Sequence, residues 1–312
     1  MKKYKTQFNN GRERIGAMNK KEITVLATDD FPISATLYEP EQANQVFVMI
    51  NSATGVKRRY YDKYAAHLCE LGFTVLTYDY RGIGGSLVPK EWLGKKPTMA
   101  DWGRRDLEGV ILWVSKHYPE HYFSAVAHSV GGQLMGLAPS NNQVKSVFSI
   151  ASQSGYIGNW SGIEKLKFQL IMYLAVPVTT YLVGSLPGAL FGSEDLPKGV
   201  ALQWAYWCRS RHYIVDKHSQ PLRKEFEQYD HSMRFYCIAD DSMYGPLKAV
   251  EELARYYKNA STEVVVKKPE DYGVRSIGHF GFFKSTMPVM AWNETASWLL
   301  EKSLESQQVQ AA

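Results

Sequence analysis

The sequence predicts an α/β fold with a mostly parallel central sheet of about eight strands and one helical insertion. Two observations carry this. Short apolar runs alternate with helical spacings from about residue 46 to 150 and again from 233 to 304. The alternation is broken once, by an aromatic-rich helical stretch. At 312 residues the chain is long enough to bury a substantial core, and single α/β domains of this length are ordinary.

Taken in order, Ile23 to Ala27 (ITVLA) and Ile33 to Tyr38 (ISATLY) are strand-like runs parted by Asp29-Asp30-Phe31-Pro32, which predicts an opening antiparallel hairpin. Val46 to Ile50 (VFVMI) is a continuous apolar strand that runs into Asn51-Ser52-Ala53-Thr54-Gly55. Tyr61, Tyr64, Ala65 and Leu68 then fall at helical spacing, with Gly72 as the stop. Phe73 to Tyr78 is the next strand, followed by the glycine-rich turn DYRGIGGS from Asp79 to Ser86. Leu107, Val110, Ile111 and Val114 make one stripe of an amphipathic helix over Asp106 to His117. Strands follow at Tyr122 to Val126 and Val144 to Ile150. After the insertion come a strand at Met233 to Ala239, a helix at Pro246 to Tyr257, a strand at Thr262 to Lys267 and a closing helix at Met290 to Leu304.

This organisation divides the chain into a basic leader (1–21), a core (22–153 and 230–304), a helical cap (154–229) and a short tail (305–312). The leader has no apolar segment behind it and does not read as a secretory signal. The cap includes Phe168 to Ser193, which has no charged residue, but Pro177, Gly184, Pro187 and Gly188 interrupt it. A soluble lid is the expectation over a membrane helix; peripheral membrane contact through the apolar cap is weighed and not expected. Basic and acidic residues number 36 and 31 and are interspersed beyond the leader, so the net charge of +5 gives no nucleic-acid footprint. Three widely separated cysteines, Cys69, Cys208 and Cys237, argue against a disulfide framework and against a zinc site. They fit a reducing cytoplasm. The histidines lack metal-ligand spacing, so neither a metal nor another cofactor is expected.

The chemistry concentrates at Ala127-His128-Ser129-Val130-Gly131-Gly132. A strand precedes it and a helix can begin at Val130, which puts Ser129 on a strand-to-helix turn so tight that its neighbours must be small. The helix aims unpaired N–H groups and its positive end at the serine. A serine is nucleophilic only with a base, and the base needs an acid to fix its tautomer. Downstream, one strand ends on Asp240-Asp241-Ser242-Met243-Tyr244-Gly245-Pro246, and Ser276-Ile277-Gly278-His279-Phe280-Gly281 lies between the last strand and the last helix. The order serine, then Asp240 or Asp241, then His279 is the order expected of a nucleophile elbow on such a sheet. His128, adjacent to the serine on a sharp turn, should point elsewhere. Trp204 and Trp207 are three apart on a cap helix, as core or as a pocket wall. The Arg81 to Gly85 turn has neither dinucleotide nor P-loop spacing and reads as structural.

On these motifs, with DWGRRDL at Asp101 to Leu107, the GHFGFF histidine loop and LPKGVALQWAYWC at Leu196 to Cys208, residues 22 to 302 resemble the α/β-hydrolase superfamily. Within it they are similar to a bacterial group of predicted α/β hydrolases near the serine aminopeptidase and monoglyceride lipase-like branch. The resemblance implies Ser129 as nucleophile, His279 as base and Asp241 as acid, with Asp240 the competitor. It also implies an oxyanion hole from the Val130 N–H and one N–H of the loop after the third strand, Ala53 first and Thr54 next. That loop lacks the His-Gly pair common in relatives. Thr54, His128, Trp204 and Trp207 complete the candidate substrate contacts. The implied activity is hydrolysis of a small-molecule carboxylic ester, hydrophobic because the cap is apolar. An acyltransferase or thioesterase on the same residues, and a non-catalytic small-molecule receptor, are the alternatives. A homodimer is left open.

Overall fold

A computed structural model describes residues 18–88, 96–190 and 194–311. Eight strands, β1 (Met18–Leu26), β2 (Pro32–Pro40), β3 (Val46–Asn51), β4 (Thr74–Tyr78), β5 (Tyr122–His128), β6 (Ser146–Ile150), β7 (Ser232–Ile238) and β8 (Ser261–Lys267), form one sheet. Their spatial order is β1-β2-β4-β3-β5-β6-β7-β8; β2 is antiparallel to both neighbours, and every pair from β4 to β8 is parallel.

The continuous apolar runs follow from covering both faces. Along β3, Phe47 and Met49 enter one core while Val48 and Ile50 enter the other. Helices α1 (Asp62–Glu70) and α7 (Val289–Ala311) close one face through Tyr64, Leu68, Ala291 and Trp298. Helices α2 (Glu108–His117) and α6 (Leu247–Tyr256) close the other through Val110, Ile111, Val250 and Leu253. A fifth core helix, α3 (Val130–Leu134), follows β5 directly.

The chain passes from β3 outward to β4 and then returns to place β5 on the other side of β3. The connections after β3 and β5 therefore diverge at the carboxyl ends of these neighbouring strands. That divergence opens the crevice in which such sheets bind ligands. The segment after Asn51 and the turn at Ser129 lie on its two sides.

Between β6 and β7 the chain departs from the sheet. It forms a long helix, α4 (Gly162–Val183), then a two-residue ribbon of Ser185–Leu186 against Leu196–Pro197, then α5 (Lys198–Arg209). The insertion is fastened to the core beside the crevice. The Glu194 N–H donates to the Gly55 carbonyl (2.8 Å), Lys57 pairs with Glu194 (2.7 Å), and the Ala100 N–H donates to Gln203 Oε1 (2.7 Å). Gly82, at φ +83°, lies so close under Pro197 that a Cβ would come within 2.5 Å of its ring.

Two boundaries move. The leader was expected to reach residue 21, yet Met18 to Lys21 pair with β2, because the hairpin register continues to Pro40. The closing helix, expected to end at Leu304, runs to Ala311 through a sequence with neither glycine nor proline to stop it. Residues 1–17, and Phe191 of the aromatic run, lie outside the described residues.

The Arg81 turn is structural, as its spacing indicated. Its backbone N–H and Nε donate to the buried Asp106 (2.9 and 2.6 Å) and its terminal nitrogens to Asp29 (2.9 and 2.7 Å). Asp106 lies in a widened π-type turn, Trp102–Leu107, whose Trp102 stacks on Tyr80 (4.9 Å) and donates to the Arg81 carbonyl. Replacing Arg81 by Met would leave Asp106 buried without its guanidinium. Loss of one partner from such a pair costs about 3–5 kcal/mol. Urea denaturation should show a loss of that size in Arg81→Met, and a substantially smaller one in Arg81→Met/Asp106→Leu.

Candidate active site

Ser129 follows the last residue of β5 and precedes α3, at φ 52° and ψ −117°. An L-residue rarely adopts a positive φ, and here the surroundings impose it. The Ser129 N–H is held by the Ile150 carbonyl of β6 (3.0 Å), and its own carbonyl accepts from Gly132 (3.2 Å). Two residues on, Gly131 lies against the end of β3: a Cβ there would come within 2.4 Å of the Asn51 carbonyl oxygen. The strand ladder and this close approach fix the turn, which lifts the hydroxyl out of the sheet.

His279 reaches that hydroxyl from a short helical turn, Gly278–Gly281. Its Nε2 lies 2.8 Å from Ser129 Oγ, and its Nδ1 lies 2.6 Å from Asp241 Oδ2. A carboxylate only accepts, so the ring proton sits on Nδ1 and the Nε2 lone pair faces the hydroxyl. Asp241 is buried, and its other oxygen accepts from the Tyr244 N–H (3.3 Å). Tyr244 and Phe280 flank the imidazole at ring distances of 5.0 and 4.9 Å. Ser129 and His279, expected from the order of their loops, and Asp241, the acid that the resemblance implied, are thus brought together.

The two candidate carboxylates have separate positions. Asp240 turns away from the imidazole and accepts three hydrogen bonds from the histidine loop: Ser276 Oγ (2.8 Å), the Ile277 N–H (2.9 Å) and the Gly278 N–H (3.0 Å). Partial burial works against its charge, but the bonds from Gly278, Ser276 and Ile277 hold the carboxyl below its usual range. Adjacent aspartates therefore orient the ring and fasten the loop that carries it.

His128 is corrected as a substrate contact. It is fully buried behind Ser129, and its Nε2 lies 2.8 Å from the His279 carbonyl oxygen. That oxygen only accepts, so Nε2 carries the proton and Nδ1 accepts from the Tyr61 hydroxyl (2.8 Å). The Tyr61 oxygen in turn accepts the Ala53 N–H (2.9 Å). Burial, reinforced by the neighbouring His279, pushes the His128 pKa down to about 3, although its bond to the His279 carbonyl favours the proton. The neutral ring thereby ties the loop after β3 to the loop of His279.

The same chain corrects Ala53. Its N–H is spent on Tyr61 and is not a free oxyanion donor. Among the described residues no acceptor takes the N–H of Thr54 or of Val130; the latter is the first residue of α3, where helix donors are unpaired. Trp207 is corrected as a pocket wall: it is fully buried, and its indole N–H donates to the Val215 carbonyl (2.8 Å). Trp204 is half-buried against the same core, beside Tyr213, whose hydroxyl donates to Gln133 of α3 (2.7 Å). Tyr61 went unnoticed in the sequence because it sits in a helical stripe like any core aromatic. No local pattern marks a phenol that will meet a histidine 67 positions away.

Residues 45–175 match the family described as alpha/beta hydrolase fold. No curated protein matches the chain. The Pyrococcus furiosus esterase Pf2001 superposes with a TM-score of 0.59 at 13% identity, over 91% of this chain and 91% of that one. DcsB, solved in complex with its substrate analogue, gives 0.62 at 14%, over 91% and 100%. The bromoperoxidase from Bacillus anthracis gives 0.54 at 14%, over 90% and 100%. The chain thus has the α/β-hydrolase fold. Residues 45–175 match that family's model, and the α/β-hydrolase fold extends over nine-tenths of the chain. The likeness establishes the fold and no branch within the family.

A histidine held near pKa 3 when folded, against about 6.5 when unfolded, binds its proton only in the unfolded chain between those values. Its contribution to stability is complete above pH 6.5 and declines as the pH falls toward 3. From pH 7 to 5 this one group should remove about 2 kcal/mol. In His128→Gln, whose amide can still donate to the His279 carbonyl, urea denaturation at the two pH values should lack that share of the difference.

Proposed function

We propose that this protein is a serine hydrolase that cleaves carboxylic esters through an acyl-serine intermediate. The observation that carries the reading is the unbroken series of Ser129 Oγ, His279 Nε2 and Nδ1, and Asp241 Oδ2, at 2.8 and 2.6 Å. Ser129 Oγ attacks the ester carbonyl carbon as its proton passes to His279 Nε2. Asp241 holds the ring in the tautomer that can accept and stabilises the imidazolium that forms. The tetrahedral oxyanion is met by the Val130 N–H, backed by the α3 dipole, and by the Thr54 N–H. Collapse expels the alcohol, which takes the proton from His279. Water, deprotonated by the same nitrogen, then attacks the acyl-serine and regenerates the enzyme.

The helical insertion serves in this reading as a cap over the crevice, fastened by Glu194 to the Gly55 to Lys57 segment. Its largely uncharged sequence from Phe168 to Ser193 favours hydrophobic acyl or alkyl esters over charged peptides. Turnover of a medium-chain nitrophenyl ester, compared with a charged peptide amide, tests the substrate class. The ester should be preferred by orders of magnitude, and preference for the amide contradicts the assignment.

The two aspartates give a sharper test of mechanism. Asp241→Asn should lower kcat by about 10³–10⁴, the scale on which loss of the orienting carboxylate acts. Asp240→Asn, which weakens only the fastening of the loop, should lower it less than tenfold while lowering Tm. Equal losses in the two variants contradict the roles assigned here.

A further inference from the structure

Helix α4 has one face without a partner among the described residues. Ile163, Leu166, Leu170, Leu174, Val178 and Tyr181 recur at intervals of three or four residues and are 45–67% exposed; Leu182, beside them, is 82% exposed. The opposite face, with Phe168, Met172, Val176 and Thr180, is buried on the insertion. Only 22% of the helix's most apolar 18-residue window is buried. Single exposed leucines are ordinary on soluble proteins, but a continuous stripe over six helical turns marks a contact surface.

Charge beside the stripe identifies the partner. Helices α4 and α5 and the three residues after α5 carry Lys165, Lys167, Lys198, Arg209 and Arg211 against one acidic residue, Glu164. Among the described residues none of the five cations pairs with a carboxylate. Lys198 lies 4.2 Å from the ring of Tyr181 and Arg209 lies 5.3 Å from the ring of Tyr173, so cation and aromatic meet at the edge of the apolar face. There a cavity of about 400 Å³ opens between α4 and the end of α5, lined by Tyr173, Tyr206, Arg209, Arg211 and His212. An apolar stripe with aromatic edges and an adjoining basic recess matches the layers of an anionic bilayer: acyl chains, interface and headgroup phosphates.

We propose that α4 docks the protein on anionic phospholipid membranes, lying in the plane of the interface with its exposed stripe among the acyl chains and Arg209 and Arg211 at the headgroup phosphates. It does not span the bilayer. Crossing would tear Phe168, Met172 and Val176 out of the core they share with α5, and Lys198 and Arg209 stand beside Tyr181 and Tyr173 along the length of the helix, where an in-plane helix needs cations. A second copy of the chain is the rival occupant. Two identical basic rims brought together would repel, whereas an anionic surface neutralises them.

Flotation of the full-length protein with vesicles of phosphatidylcholine alone, and of phosphatidylcholine with 30 mol% (about a third) phosphatidylglycerol, tests this. Binding should be strong on the anionic vesicles, weak on the neutral ones and reduced by salt. Leu170→Glu/Leu182→Glu, both at exposed positions, should reduce it at least tenfold. Lys167→Glu/Arg211→Glu should reduce it by about fivefold or more per charge removed. Both variants should retain the melting temperature of the parent. Three results would overturn the proposal: no binding to anionic vesicles, binding unchanged in the Leu170→Glu/Leu182→Glu variant, or a dimer by light scattering that this variant splits while the parent ignores vesicles. None of these readouts involves Ser129, so failure here leaves the hydrolase reading untouched, and the converse holds.

Discussion

The hydrogen bond between Ser129 and His279 joins two loops 150 residues apart in sequence, and it persists only if both are held to within a few tenths of an ångström. The sheet fixes one side. Ser129 takes its backbone from β5 and donates its N–H to a carbonyl of β6, with Gly131 pressed against β3. The other side is a short loop before the last helix, and it needs added restraints. Asp240 gathers three donors from it, Asp241 holds the ring, His128 donates to the His279 carbonyl, and the Tyr60 hydroxyl donates to the carbonyl of Phe280. Much of the polar chemistry near the crevice thus serves position, in keeping with a site that must be arranged before its substrate arrives.

The relay from Ala53 through Tyr61 and His128 to the His279 loop runs in one direction only, because a carbonyl sits at one end and an N–H at the other. Such a chain is satisfied at every member without any group being ionised, which suits its complete burial. It also explains why a histidine stands next to the serine without touching the reacting atoms. A charge there would oppose the imidazolium that the proposed chemistry requires.

The strands and principal helices were legible in the sequence because they rest on local periodicity and on glycine and proline punctuation, and the eight strand positions follow from that. Ser129 and His279 were legible because both stand in short, turn-rich loops at strand ends. The resemblance put Asp241 ahead of Asp240, but the residues alone barely separated them, since adjacent residues share nearly every sequence signal and only the direction of the chain tells them apart. His128 points away from the serine as its place on the turn indicated, but Ala53 as a free donor and His128 as a substrate contact were misjudged, because their partner, Tyr61, lies on a helix whose spacing speaks only of burial. Trp207 had two readings on a helix with apolar residues on several sides, and the packing decides for the core. The uncharged run from Phe168 to Ser193 was noticed, but which of its side chains face out is set by how the helix lies on α5, a tertiary fact.

The central claim is that Ser129 is activated by its neighbours and no other side chain is. The most direct measurement is labelling of the intact protein with a fluorophosphonate, followed by mass mapping of the adduct. The account predicts a single adduct per chain on the peptide containing Ser129, absent from Ser129→Ala and strongly slowed in His279→Ala. An adduct on another residue, or undiminished labelling of Ser129→Ala, would contradict it.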